Sequence, residues 1–137
     1  MRGDFCWFLT PCPARECRYV EEEAELDMIE DTIGKIESRI QSAETIQDER
    51  RRELLQLLGT LKSEVAVLST THNEQAESIA AFAEVSAREA TRASQNPDLL
   101  KLSLQGLGSS VSEFEKTHPR LVQIVNSISQ TLSNLGI

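Results

Sequence analysis

The sequence predicts an all-α protein: antiparallel helical hairpins in a coiled-coil-like bundle of four to five helices. Three observations carry this. Apolar residues recur at steps of four and three from Met28 to the end. That spacing keeps them on one face of a helix. Asn96-Pro97 and His118-Pro119 place proline at the first position of new helices, where its missing N–H costs nothing. Aromatic residues make up only 4% of the chain, so Leu, Ile, Val and Ala must fill the core.

Residues 1–27 read differently from the rest. They hold Cys6, Cys12 and Cys17, the single Trp7 and the single Tyr19, and no helical period precedes the run Glu21-Glu22-Glu23. We expect 1–27 to be a disordered leader or a start read too far upstream, and 28–137 to be one helical domain. The cysteine spacing, C-x5-C-x4-C with no histidine nearby, does not match a zinc site. An odd number of cysteines gives no disulfide framework either. Phe5-Cys6-Trp7-Phe8-Leu9 is far shorter than the roughly 20 residues of a spanning helix.

The first helix is predicted over Met28–Ala43, with Ile29, Ile33, Ile36 and Ile40 on its seam and Glu30 and Asp31 favouring its N-terminal dipole. The second starts near Gln47, with Thr45 and Asp48 as a variant capping box. Its seam is Leu54, Leu58, Leu61, Val65 and Leu68, broadened by Leu55 and Leu57.

At Ser69-Thr70-Thr71-His72-Asn73 two readings compete. Thr71 with Glu74 reads as a fresh N-cap, but no Gly or Pro forces a break, and the seam can continue through His72 to Ala76 as a stutter. The balance favours one long helix over 47–94. Its later seam is all alanine: Ala76, Ala80, Ala83, Ala87 and Ala90, flanked by Ile79 and Phe82. Small side chains let another helix approach closely, and narrow seams in an extended array leave surface uncovered. The alanine stripe is therefore the expected contact of a homodimer.

Gln95-Asn96-Pro97 ends that helix and caps the next, which carries Leu100, Leu104, Leu107, Val111 and Phe114 to about Lys116. Gly106 and Gly108 weaken it and permit a kink or a close contact. No strand and no Gly-Lys-Ser/Thr accompany them, so a phosphate loop does not follow. The last helix carries Leu121, Val125, Ile128, Leu132 and Leu135, with Gly136 and Ile137 spaced for a Schellman ending. The hairpin 97–137 is the most regular unit.

The runs Glu74-Gln75-Ala76-Glu77-Ser78-Ile79-Ala80, Asn96-Pro97, Phe114-Glu115 with His118-Pro119-Arg120-Leu121, and Leu132-Ser133-Asn134-Leu135-Gly136-Ile137 resemble a family of short bacterial helical proteins catalogued as domain of unknown function 4404. The resemblance covers about 28–137. It implies an α-helical, cytoplasmic bacterial protein and brings no activity, cofactor or catalytic residue with it.

Candidate chemistry is sparse. Glu115-x-x-His118 matches half of a di-iron helix pair, and with Glu84 it defines the alternative to a non-enzymatic protein: a metal-binding bundle. Such a site needs a second pair and two more carboxylates, and His118 sits at a helix start instead. His72 is isolated and reads as a cap or seam residue. Arg50-Arg51-Arg52 is surrounded by Asp48, Glu49 and Glu53, and Asp48 can pair with Arg52, so the run reads as a solvated face. No Gly-x-Ser-x-Gly elbow accompanies the many serines.

The net charge is −8. Phosphate backbones are held by clustered basic residues, so nucleic acid and anionic lipid are poor partners. The expected function is a cytoplasmic, non-enzymatic interaction or scaffold protein. It uses no cofactor, self-associates and contacts an unidentified protein partner, with no nucleic-acid or membrane role.

Overall fold

The structure is a computed structural model that describes residues 14–135, with side chains from Met28 onward. The described residues form five α-helices: α1 (Ala14–Ser42), α2 (Asp48–Ser69), α3 (Asn73–Ala90), α4 (Pro97–Val111) and α5 (Pro119–Leu135). A single 3-10 turn over Ser112–Phe114 follows α4. No strand occurs among the described residues. No described helix is long and apolar enough to cross a membrane.

Each seam read from the sequence is the buried face of its helix. Ile29, Ile33, Ile36 and Ile40 are buried in α1, and Leu54, Leu58, Leu61, Val65 and Leu68 in α2. Leu100, Leu107, Val111 and Phe114 are buried along α4 and its 3-10 turn, while Leu104 is half-buried. Leu121, Val125, Ile128 and Leu132 are buried in α5. They join one core cluster drawn from all five helices.

Successive helices run up and down. Lys62 Nζ lies 3.4 Å from Glu37 Oε1, linking α2 to α1, and Arg120 Nε lies 3.5 Å from Glu64 Oε2, linking α5 to α2. Among the described residues the helix α3 packs closely against all four others, whereas α1 makes no close backbone approach to α4 or α5, and α2 none to α4. The bundle is thus organised around α3.

Four boundaries differ from the sequence reading. The helix α1 begins at Ala14, ahead of the expected Met28. Residues 1–13 and the side chains of 14–27 lie outside the described residues, and so does the expected Schellman ending at Gly136 and Ile137.

The predicted long helix over 47–94 is two helices, broken at Thr70–His72. Ser69 Oγ donates to Ala66 O at 2.7 Å, Thr70 Oγ1 to Val67 O at 2.7 Å and Thr71 Oγ1 to Leu68 O at 3.4 Å. Three consecutive hydroxyls satisfy the carbonyls that a helix leaves open at its C-terminus, so the break needs neither Gly nor Pro. The N-cap of α3 is His72, not Thr71, and its side chain makes no cap bond.

The capping box expected from Thr45 and Asp48 is absent: Gln47 is the N-cap of α2, without a side-chain bond. Finally, α4 ends at Val111 rather than near Lys116. The Asn96 cap holds as expected, with Oδ1 accepting from Asp98 N at 3.1 Å and Leu99 N at 3.2 Å.

Candidate interaction surface

The alanine stripe does not form an outer surface. Ala76, Ala80, Ala83, Ala87 and Ala90 are all at most 3% exposed within a single chain. Ala83 and Ala87 meet Ile36 and Ile40 of α1, Leu54 and Leu58 of α2, and Ile128 and Leu132 of α5 around a gap that admits no water. A helix surrounded by four neighbours must be slim. The alanines answer that demand inside the monomer, which corrects their assignment as a dimer contact.

The outward side of α3 presents a different patch. Ile79 points into the core, while Phe82 is 39% exposed. Phe82 lies over Gly106 of α4: a Cβ built there would come within 2.6 Å of Phe82 Cδ1. Gly106 thus makes room for the ring, which explains a glycine in mid-helix despite its propensity cost of about 1 kcal/mol. Gln75 and Glu113 close the same open groove one end further on, so α3 and α4 are antiparallel there.

Beyond Gly106 along α4, Leu102 is 61% exposed and Leu99 44%. At three- and four-residue spacing, Leu99, Leu102 and Gly106 share one face of α4. Phe82, Leu99 and Leu102 thus form an apolar patch over the α3–α4 junction. Val67, 61% exposed, belongs to α2, whose backbone makes no close approach to α4.

The electrostatics of this side are distinctive. No ionisable side chain occurs from Leu102 to Ser112 or from Leu121 to the end of the chain. The exposed residues of α5 are Gln123, Asn126, Ser127, Gln130, Ser133 and Asn134, all polar and uncharged, after Arg120 in its first turn. Exposed charge elsewhere is dense: Glu30, Asp31, Lys35 and Arg39 on α1, and Glu49, Arg52 and Glu53 on α2.

Beside the patch, α3 buries two polar groups without full partners. Ser86 is fully buried and its Oγ has no hydrogen bond. Glu89 is 6% exposed, with Oε2 3.2 Å from Arg92 Nη2 and Oε1 unpaired.

The residues of the metal-binding alternative are not brought together. Glu84 lines a groove with Glu30, Asp31 and Gly34 of α1. Glu115 is exposed beyond α4. His118 precedes α5, its carbonyl accepting from Val122 N at 3.3 Å. Among the described residues no three His, Cys, Asp or Glu side chains converge on a possible metal position.

His118 and His72 instead flank one aromatic ring. Their centroids lie 5.6 Å and 5.2 Å from that of Phe114, both edge-on. Each Nδ1 pairs with the preceding threonine hydroxyl, at 3.1 Å to Thr117 and 2.8 Å to Thr71. The two Thr-His sequences are thus equivalent turns at one end of the bundle, closed over Phe114.

The basic run is also not uniform. Arg52 is exposed, but the Arg51 side chain is only 19% exposed. It is Arg51, not Arg52, that pairs with Asp48, at 2.7 Å. Three identical residues in a row give no sequence signal for which one turns inward.

Fold and surface together define a helical bundle that exposes Phe82, Leu99 and Leu102 on its α3–α4 side, with Asp98 and Lys101 exposed beside the two leucines. The family model described as domain of unknown function (DUF4404) matches residues 54–137, and the chain belongs to that family. The match begins within α2, later than the resemblance suggested, and leaves α1 outside it. No curated protein and no solved structure matches the chain.

Proposed function

We propose that this protein is a non-enzymatic helical interaction module that engages other proteins through the α3–α4 face. The observation that carries the reading is the exposed apolar set Phe82, Leu99 and Leu102 beside a stretch of α4 without charge. Contiguous apolar surface on a soluble bundle marks an interaction site. Depletion of charge is the compositional signature of interface cores, with charged residues kept to the rim. Lys101 on α4 and Glu113 in the 3-10 turn after it occupy that rim position.

The acidic balance of the chain speaks against a nucleic-acid or anionic-lipid partner, because phosphate neutralisation needs clustered cations. Its cysteines are confined to the first 17 residues, which fits the cytoplasm.

The test is a photo-crosslinking residue placed at Leu102, or at Val67 as the control, in the full chain expressed in its native cell. An adduct of higher mass is expected at position 102 and none at 67. No adduct at 102, or equal adducts at both positions, would overturn the reading.

A further inference from the structure

We propose that α1 is a detachable helix. It opens from the groove between α2 and α3 as one unit while α2 to α5 stay folded, and the groove it leaves takes an isoleucine-faced helix. This site is distinct from the α3–α4 face and does not depend on it.

The contacts divide the bundle in two. The helix α1 makes close backbone approaches to α2 and α3 alone, and one connection, residues 43–47, joins it to the other described helices. By contrast, α5 packs against α2, α3 and α4, and α4 is tied into the chain between α3 and α5. The family match draws the same boundary independently. It begins at Leu54 and spans most of α2 with all of α3, α4 and α5, so α1, the turn after it and Arg51 lie outside it.

The way α1 is held differs between its two neighbours. Ile29, Ile33, Ile36 and Ile40 are buried, and Ile36 and Ile40 meet Leu54 and Leu58 of α2 and Ala83 and Ala87 of α3. An alanine wall returns little apolar area to water when α1 lifts away, because the cost scales with area. Among the described residues the polar links from α1 reach α2: Arg51 to the carbonyls of Ile40 and Ala43 at the C-terminal end, and Lys62 to Glu37, 3.4 Å apart. Along the α3 seam an open groove runs instead, lined by Thr32 of α1 and Glu77, Ala81 and Glu84 of α3. Segments with few partners open as cooperative units ahead of the whole chain. The vacated groove presents Leu54, Leu58, Ala80, Ala83 and Ala87. Close packing against such small side chains requires bulk from the other side, so its occupant carries large aliphatic residues at four-three-four spacing, as α1 does.

Native-state hydrogen exchange of the full chain tests the opening. Asn96→Ala removes a cap that the opened form keeps. It should accelerate exchange at Val125–Ile128 about 5-fold, since those amides need global unfolding, and leave Ile33–Ile40 unchanged. If Asn96→Ala changes neither, Val125→Ala makes the same comparison. Equal acceleration of both segments would mean that α1 opens only with the whole chain, which overturns the proposal. Arg51→Ala should accelerate Ile33–Ile40 together by at least about 10-fold, because opening breaks the Arg51 contacts. No response there would reduce exchange in α1 to local fraying and overturn it equally. The groove is tested with a fluorescent peptide of residues 28–47 added to the full chain. Ile33→Ala weakens α1 and leaves the groove walls intact, so peptide affinity should rise at least about 10-fold over the unmutated chain. If Ile33→Ala loses helicity, Ile33→Val is the milder variant. A peptide that binds none of these chains, or all of them equally, would remove the groove from the proposal.

Discussion

Arg51 in the first turn of α2 donates from Nε to the carbonyl of Ile40, 3.2 Å away near the end of α1. The same guanidinium donates to the carbonyls of Ala43 and Ile46, the latter at 3.0 Å, and pairs with Asp48. One side chain thus gathers the open carbonyls of a helix C-terminus and the turn after it. A planar fork of five donors suits this, and a cation also favours the negative end of the helix dipole. Arg51→Ala is expected to cost about 2–3 kcal/mol, since hydrogen bonds from a charged donor are worth about 1.5–3 kcal/mol in total effect. Arg51→Lys should recover only part, because the ammonium cannot span the carbonyls. Arg52→Ala should stay within about 0.5 kcal/mol, as for exposed positions. Urea denaturation of the three variants checks this, and equal costs at 51 and 52 would contradict the clamp.

Gly59 and Gly106 are both mid-helix, yet they should respond oppositely to alanine. A Cβ at Gly59 meets open space, so Gly59→Ala should stabilise by about 0.5–1 kcal/mol. At Gly106 the Cβ displaces Phe82, and the lost ring contact offsets the gain in helix propensity. In a Phe82→Ala background, Gly106→Ala should become stabilising by about 1 kcal/mol. Thermal melting of the double-mutant cycle measures the coupling. Additivity would mean the ring and the glycine are independent.

Ser86→Ala should be neutral or stabilising by up to about 1 kcal/mol. The hydroxyl is buried without a partner, and its removal ends a desolvation cost while adding helix propensity. A loss above about 1 kcal/mol in denaturant melts would reveal a bond that the hydroxyl makes in solution.

Ile128→Ala should cost about 2–5 kcal/mol, because Ile128 is 1% exposed and closes the core opposite Ala83 and Ala87. A cost under about 0.5 kcal/mol would place it at an exposed position. By the same packing Ala83→Glu should abolish cooperative folding rather than dissociate an oligomer, since it puts a carboxylate into a gap that holds no water. Circular dichroism after heating separates the two outcomes.

Asn96→Ala should cost about 1 kcal/mol by removing the acceptor for Asp98 N and Leu99 N. Gln95 should matter comparably. Its Nε2 donates to Ala90 O at 2.7 Å and Leu135 O at 3.3 Å, joining the last turns of α3 and α5. Hydrogen exchange at the ends of α3 and α5 should accelerate together in Gln95→Ala, and acceleration in one helix alone would contradict the shared clamp.

The sequence by itself determined the helical class and the inward face of α1, α2, α4 and α5. A four–three repeat places side chains on one stripe whatever the neighbours are, so Ile33, Leu61, Leu107 and Val125 are buried where the period puts them. It also determined the start of α4, because the Asn96-Pro97 cap is local chemistry. Tertiary structure decided the rest. An alanine stripe reports only that something comes close, and the position of α3 among four neighbours made that something the chain's own core. The break before His72 depended on three hydroxyls turning back onto their own helix, a rotamer choice that composition does not specify. Likewise, Phe82 and Ile79 flank the same stripe and are equally apolar, but only the placement of α4 sent one inward and left the other over Gly106 at the surface. Periodicity is a property of one helix, whereas exposure is a property of its neighbours, and so the candidate interaction face emerged only when the five helices were assembled.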